Sequence, residues 1–103
     1  MADKDMITIN GERADIVLEG RLDTSKAPEL MEELKTLIGK DINLIAFDAT
    51  SLEYISSAGL RAIIFAKQKV GTEVDLELIG ANESVLDVIN MSGLSSYMTI
   101  KNA

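Results

Sequence analysis

The sequence predicts an α/β fold: a single mixed β-sheet of about four to five strands, with helices packed mainly on one face, in the order β-β-α-β-α-β-α-β. Three observations predict it. A stretch with period-two alternation turns back on itself at Asn10-Gly11, three later stretches carry apolar residues at helical spacing, and short apolar runs separate those helices. Strands linked through helices form right-handed crossovers, which lay successive helices on the same side of the sheet.

The first element is a hairpin, "MITINGERADIVLEGRLD". Ile7 and Ile9 alternate with polar neighbours, Asn10-Gly11 is a strong turn signal, and Ala14, Ile16 and Leu18 alternate again. In "TSKAPELMEELKTLIG" the residues Ala27, Leu30, Met31, Leu34, Leu37 and Ile38 follow the i, i+3, i+4 rhythm of a helix. Thr24 or Ser25 is the expected cap, Pro28 suits the first turn, and Gly39 suits the position just past the end. "INLIAFDAT" reads as a strand buried on both faces and ending at Asp48.

A short loop, "LEYISS", is expected next, with Tyr54 as a half-buried anchor beneath it. "GLRAIIFAKQKVG" then predicts a second helix closed near Gly71. Leu60, Ile63, Ile64, Ala66 and Val70 make it apolar around much of its circumference, so it should pack deeply on the sheet. "EVDLELIG" alternates Val74, Leu76 and Leu78 with Asp75 and Glu77, a strand with one wetter face near an edge. Asn82 can cap a third helix that turns Val85, Leu86 and Ile89 inward, Gly93 ends it, and "YMTI" is a short last strand.

Length and composition narrow the function classes. A chain of 103 residues, 47% hydrophobic and 26% charged, predicts one globular domain spanning 1–103. A formal net charge of −7 disfavours nucleic-acid phosphates as a partner. "MADKDMITIN" lacks the apolar stretch of a secretion signal, and "AIIFA" falls far short of the roughly 20 residues that span a bilayer. A cytoplasmic location and no membrane insertion are therefore expected.

The chain contains neither histidine nor cysteine. Imidazole-activated serine chemistry and thiol chemistry are thus ruled out. "IGKD" shares only a Gly-Lys pair with a phosphate-binding loop, and "ISSAG" matches only the right-hand side of a hydrolase elbow. Asp23 and Asp48 are the remaining candidate carboxylate pair, and nothing in their spacing supports it. No enzyme activity, metal or cofactor is expected.

What remains is geometry. Ligands and partners of open α/β sheets meet the loops at the carboxyl ends of the strands. Asp23 follows the second strand, and Ser56 and Ser57 follow the third. By residue type alone, either serine serves as an N-cap worth roughly 1 kcal/mol, Gly59 as a point of close helix–sheet approach, and Asp23 as support for the next helix. The alternative is a switch. A serine at a helix mouth accepts a phosphate without refolding its own chain, while the added charge disrupts any interface packed on it.

Three stretches, "LEGRLDTSKAPEL", "DATSLEYISSAGLRAI" and "ESVLDVINMSGLSSYMTI", resemble the STAS domain, and among its members the stand-alone anti-sigma factor antagonists of bacteria. The family pattern carries Asp-Ser-Ser/Thr-Gly-Leu, with the regulatory serine two positions before the glycine. Here that serine is Ser57 and the glycine Gly59. Two departures stand out: Ser56 replaces the usual acid before the regulatory serine and is itself a competing acceptor. Arg21, in "GRLD", replaces a glutamate, whereas Asp23, the family's functional acid, is present.

The resemblance implies a partner switch. The unmodified protein binds an anti-sigma factor that is also a GHKL-type serine kinase, and so frees a sigma factor. Phosphorylation at Ser57, with Ser56 the alternative, ends that binding until a metal-dependent, PP2C-type phosphatase restores it. The partner surface expected from this comprises Asp23, Thr24, Ser56, Ser57, Ala58, Gly59 and Arg61, on a monomer or weak dimer. Two other readings are a STAS scaffold or sensor subunit without a phosphoswitch, and a GTP-binding protein, for which no phosphate loop is present.

Overall fold

The computed structural model describes residues 7–70 and 73–102. Its elements are β1 (Ile7–Asn10), β2 (Arg13–Leu22), α1 (Ala27–Lys35), β3 (Leu44–Ile55), α2 (Ser57–Phe65), β4 (Asp75–Ile79), α3 (Glu83–Ser92) and β5 (Thr99–Lys101). This is the predicted order. The five strands form one sheet in sequence order, with β1 antiparallel to β2 and every later neighbour parallel.

The hairpin forms one residue later than Asn10-Gly11 implies. Asn10 pairs with Arg13, so the two-residue loop is Gly11-Glu12. Gly11 has φ +63° and, among the described residues, no non-glycine residue has positive φ, which is the II′ arrangement that matches strand twist.

Alternation sorts the sheet into two faces. Ala14, Ile16 and Leu18 of β2 pair in register with or lie beside Ile45, Phe47 and Ala49 of β3, and these with Leu76 and Leu78 of β4. All are buried, together with Leu30 and Leu34 of α1, Ala62 and Ile63 of α2, and Val85 and Ile89 of α3. The helices cover this face. The opposite face carries Asp15, Val17, Glu19 and Arg21 of β2 with Asp75 and Glu77 of β4, and it is the wetter side. Among the described residues, both faces are closed only in mid-β3, at Ile45, Ala46 and Phe47.

The expected loop after Asp48 does not exist. Strand β3 continues for 12 residues to Ile55. Between Val17 and Glu19 of β2 the partner moves from Asp48 to Ser51, and between Gly20 and Arg21 it moves from Leu52 to Tyr54. Each step inserts one extra residue in β3, a β-bulge, and the bulges turn Ala49, Leu52 and Ile55 all inward. A spacing of three replaces the strand's spacing of two, which is why the stretch does not read as a strand.

Tyr54 is likewise not an anchor under a loop. It is 40% exposed on the open face, with the Arg21 guanidinium 4.3 Å from its ring centroid. Helix α1 is shorter than its apolar rhythm. It ends at Lys35 and unwinds through i→i+3 bonds that bury Leu37 but leave Ile38 48% exposed. Helix α2 ends at Phe65 and continues as a π-helical turn, Ala66–Val70. The expected end at Gly71 lies outside the described residues. Asn82 caps α3 by accepting from the Val85 amide at 2.8 Å, and Gly93, with φ +81°, closes it. Tyr97 belongs to a 3-10 turn, Leu94–Tyr97, rather than to β5.

Candidate functional site

The site begins with a parallel pair. Leu22, the last residue of β2, lies in register with Ile55, the last of β3, so both chains leave the sheet side by side at its carboxyl end. Ser56 clamps them together. Its amide and its Oγ both donate to the Leu22 carbonyl, at 2.9 and 3.1 Å. The same Oγ accepts from the Gly59 amide at 3.2 Å, which makes Ser56 the N-cap of α2. Ser56 is thus a structural hydroxyl whose donor and acceptor are both used.

Ser57 is the first residue of α2 and is exposed. Its hydroxyl has no protein partner among the described residues. Ala58 is half-buried and Arg61, one helical turn beyond Ser57, is exposed. Gly59 is buried against the sheet: a Cβ built there would lie 2.8 Å from Leu22 Cγ, 2.9 Å from Ile55 Cγ1 and 2.9 Å from the Leu22 oxygen. Its place is beneath the site, where it lets the helix mouth sit close to the strand ends.

Asp23 lies on the same rim, since it follows Leu22 directly as Ser56 follows Ile55. The expected caps Thr24 and Ser25 do not cap α1. The N-cap position is Lys26, without a side-chain cap, and Asp23 organises the turn instead. Its Oδ1 accepts from the Ser25 hydroxyl at 2.8 Å, the Ser25 amide at 3.1 Å and the Lys26 amide at 3.2 Å. The Ser25 hydroxyl, followed by the Lys26 amide, holds the carboxyl below the usual carboxylate range. Asp23 therefore carries a full negative charge near neutral pH. Thr24 is exposed beside it.

Sequence reading missed one feature of this end of the sheet. Arg21 and Tyr54 are cross-strand partners on the open face, one residue before Leu22 and Ile55, so the rim extends round onto an arginine–tyrosine platform. The signal was only the arginine that replaces an acid in "GRLD". Asp48, the other candidate carboxylate, is placed elsewhere: its Oδ1 accepts from the Thr50 amide and hydroxyl at the first bulge of β3.

The fold and rim define a class, the small α/β domains that present hydroxyl side chains at the strand-end mouth of a helix. The STAS domain model matches residues 6–103, and the chain belongs to that family. It is 32% identical over 87 residues to BtrV of Bordetella bronchiseptica, a candidate anti-sigma factor antagonist, spanning 84% of this chain and 75% of that one. It is 28% identical over 92 residues to the anti-sigma-B factor antagonist of Listeria monocytogenes, spanning 88% of this chain and 81% of the other.

The same architecture recurs in the anti-sigma factor antagonist SpoIIAA. Its unphosphorylated form superposes with a TM-score of 0.75 at 14% identity, over 93% of this chain and 84% of its own. The phosphorylated form of this Bacillus cell fate determinant gives 0.72 at 18% identity, over 91% and 87%. At such identities the likeness is one of fold.

Proposed function

We propose that this chain is an anti-sigma factor antagonist that works by partner switching and has no enzymatic activity of its own. Unmodified, it docks through the Asp23–Ser57 rim onto an anti-sigma factor that doubles as a GHKL-type serine kinase, and a sigma factor is released. The kinase moves the γ-phosphoryl group of ATP onto Ser57 Oγ. The hydroxyl proton leaves to a base of the kinase, ADP departs, and the modified protein no longer docks. A PP2C-type phosphatase returns it to the binding form.

The observation that carries this reading is the division of labour between the two serines. Ser56 has its hydroxyl committed to Leu22 and Gly59, and phosphorylating it would break the cap and the strand-end clamp. Ser57 projects an exposed hydroxyl that supports neither, so its modification leaves the fold in place. A phosphate adds about −1.5 to −2 charge to a surface that already holds ionised Asp23. A penalty of about 3 kcal/mol at a desolvated interface reduces affinity by more than a hundredfold. The names of the relatives support the role, and the occurrence of SpoIIAA in both phosphorylation states on this one architecture supports a switch without refolding.

The test is to incubate the protein with its cognate kinase, ATP and magnesium and to map the product by mass spectrometry. Phosphate on Ser57 is the expected result. Phosphate on Ser56 would reverse the assignment of the two serines, and phosphate on any other residue would remove the rim from the mechanism.

A further inference from the structure

The rim carries charge of both signs, and its cations are not equivalent. Arg21 lies over the Tyr54 ring on the open face of the sheet. Lys26 holds the N-cap position of α1, where its amide donates to Asp23. Arg61 is on α2 itself, four residues after Ser57, exposed and without an ion pair among the described residues. Residues at i and i+4 of a helix lie on one face with their Cβ atoms about 5–6 Å apart. A guanidinium on that spacing reaches over the preceding turn, because helical side chains point back toward the N-terminus.

Building on the assignment of Ser57 as the phosphorylated residue, we propose that Arg61 is the intramolecular counter-ion of the phosphate. Two observations point the same way. The phosphate would share the rim with an Asp23 carboxylate that its own hydrogen bonds keep ionised, so the modified surface needs a nearby cation. The arginine in position to supply it has a planar fork of donors that suits phosphate oxygens, and no competing ion-pair partner among the described residues. Modification thus alters the docking surface twice: it adds an anion at Ser57 and withdraws from solvent the one cation that α2 offers a partner between Ser57 and Phe65. A partner that engages Arg61 through a carboxylate loses that contact when Ser57 is phosphorylated.

The pairing is tested separately from the choice of Ser57 by the kinase. Full-length protein with phosphoserine installed at position 57 by semisynthesis is compared with the unmodified chain, in the native sequence and in Arg61→Gln, Arg61→Lys and Lys26→Gln backgrounds. The first readout is the Arg61 Hε–Nε resonance in a proton–nitrogen NMR spectrum. It should move downfield on phosphorylation and return toward its original position in 1 M salt.

The second readout is thermal. In the phosphorylated protein Arg61→Gln should lower the melting temperature by roughly 2–4 °C more than it does in the unmodified protein. Arg61→Lys should restore part of that difference, and Lys26→Gln should leave it unchanged. An unmoved Arg61 resonance, or a melting difference that follows Lys26 instead, overturns the pairing. Neither result depends on which serine a kinase selects, so a failure here leaves the switch at Ser57 standing, and a kinase that modifies another residue leaves this pairing intact.

Discussion

The mouth of α2 is held tightly against two strand ends, and Gly59→Ala tests that directly. Alanine is the better helix former by about 0.5–1 kcal/mol, so an uncrowded helix would gain stability from the change. Here the new methyl group would meet Leu22 Cγ at 2.8 Å, Ile55 Cγ1 at 2.9 Å and the Leu22 oxygen at 2.9 Å. Two of these are buried side chains at the end of the core, and the third is backbone. That oxygen is already fixed by the Ser56 amide and hydroxyl, so it has little freedom to withdraw. Overpacking of this kind costs about 1–3 kcal/mol, which exceeds the propensity gain.

The net expectation is a loss of about 1–2 kcal/mol, or a melting temperature lower by roughly 4–16 °C for a domain of this size. Urea and thermal melts followed by circular dichroism give both numbers. The relief of the clash should push the start of α2 away from Leu22, so amide exchange at Ser56 and Gly59 should speed up more than exchange in α3. A Gly59→Ala protein as stable as the parent, with unchanged exchange at Ser56, would refute the close approach and the geometry built on it.

Two further predictions concern the same rim. Ser56→Ala removes the cap of α2 and the bond to Leu22 and should cost about 1–2 kcal/mol, whereas Ser57→Ala should stay within about 0.5 kcal/mol of the parent; paired urea melts decide it, and equal losses would erase the distinction between the two serines. Asp23 has its folded-state pKa lowered, first by the Ser25 hydroxyl, so the stabilisation it lends is present above the unfolded carboxyl value of about 3.9 and is lost as pH falls through the folded value. Asp23→Asn should therefore be less stable than the parent at pH 7, with the gap closing below about pH 4; a gap that persists unchanged at pH 2.5 would show that the charge is not responsible.

The element order and both ends of α3 were legible because they rest on local rules. The period-two stretches of β1, β2 and β4, the apolar stripes of α1 and α3, and the Asn82 and Gly93 ends of α3 all appear where local chemistry puts them. Much of what escaped depended on residues distant in the chain. The second half of β3 has its inward residues three apart, at Ala49, Leu52 and Ile55, because bulges are set by the neighbouring strand rather than by β3 alone.

Tyr54 could not be placed without knowing that Arg21 would lie opposite it. The roles of Ser56 and Ser57 could not be separated either, since both are good caps by type, and the Gly59 amide and the Leu22 carbonyl decide between them. At α1 no side chain caps the helix, and Asp23 organises the turn ahead of it instead, because its carboxylate reaches two amides and a hydroxyl at once.

The most direct test of the switch is calorimetric titration of the purified anti-sigma kinase with four forms of this protein: unmodified, phosphorylated at residue 57, Ser57→Ala and Ser57→Asp. The account predicts tight and nearly equal binding by the unmodified and alanine forms, a loss of more than a hundredfold on phosphorylation, and a smaller loss for aspartate. Equal affinity of all four forms for the kinase would contradict it.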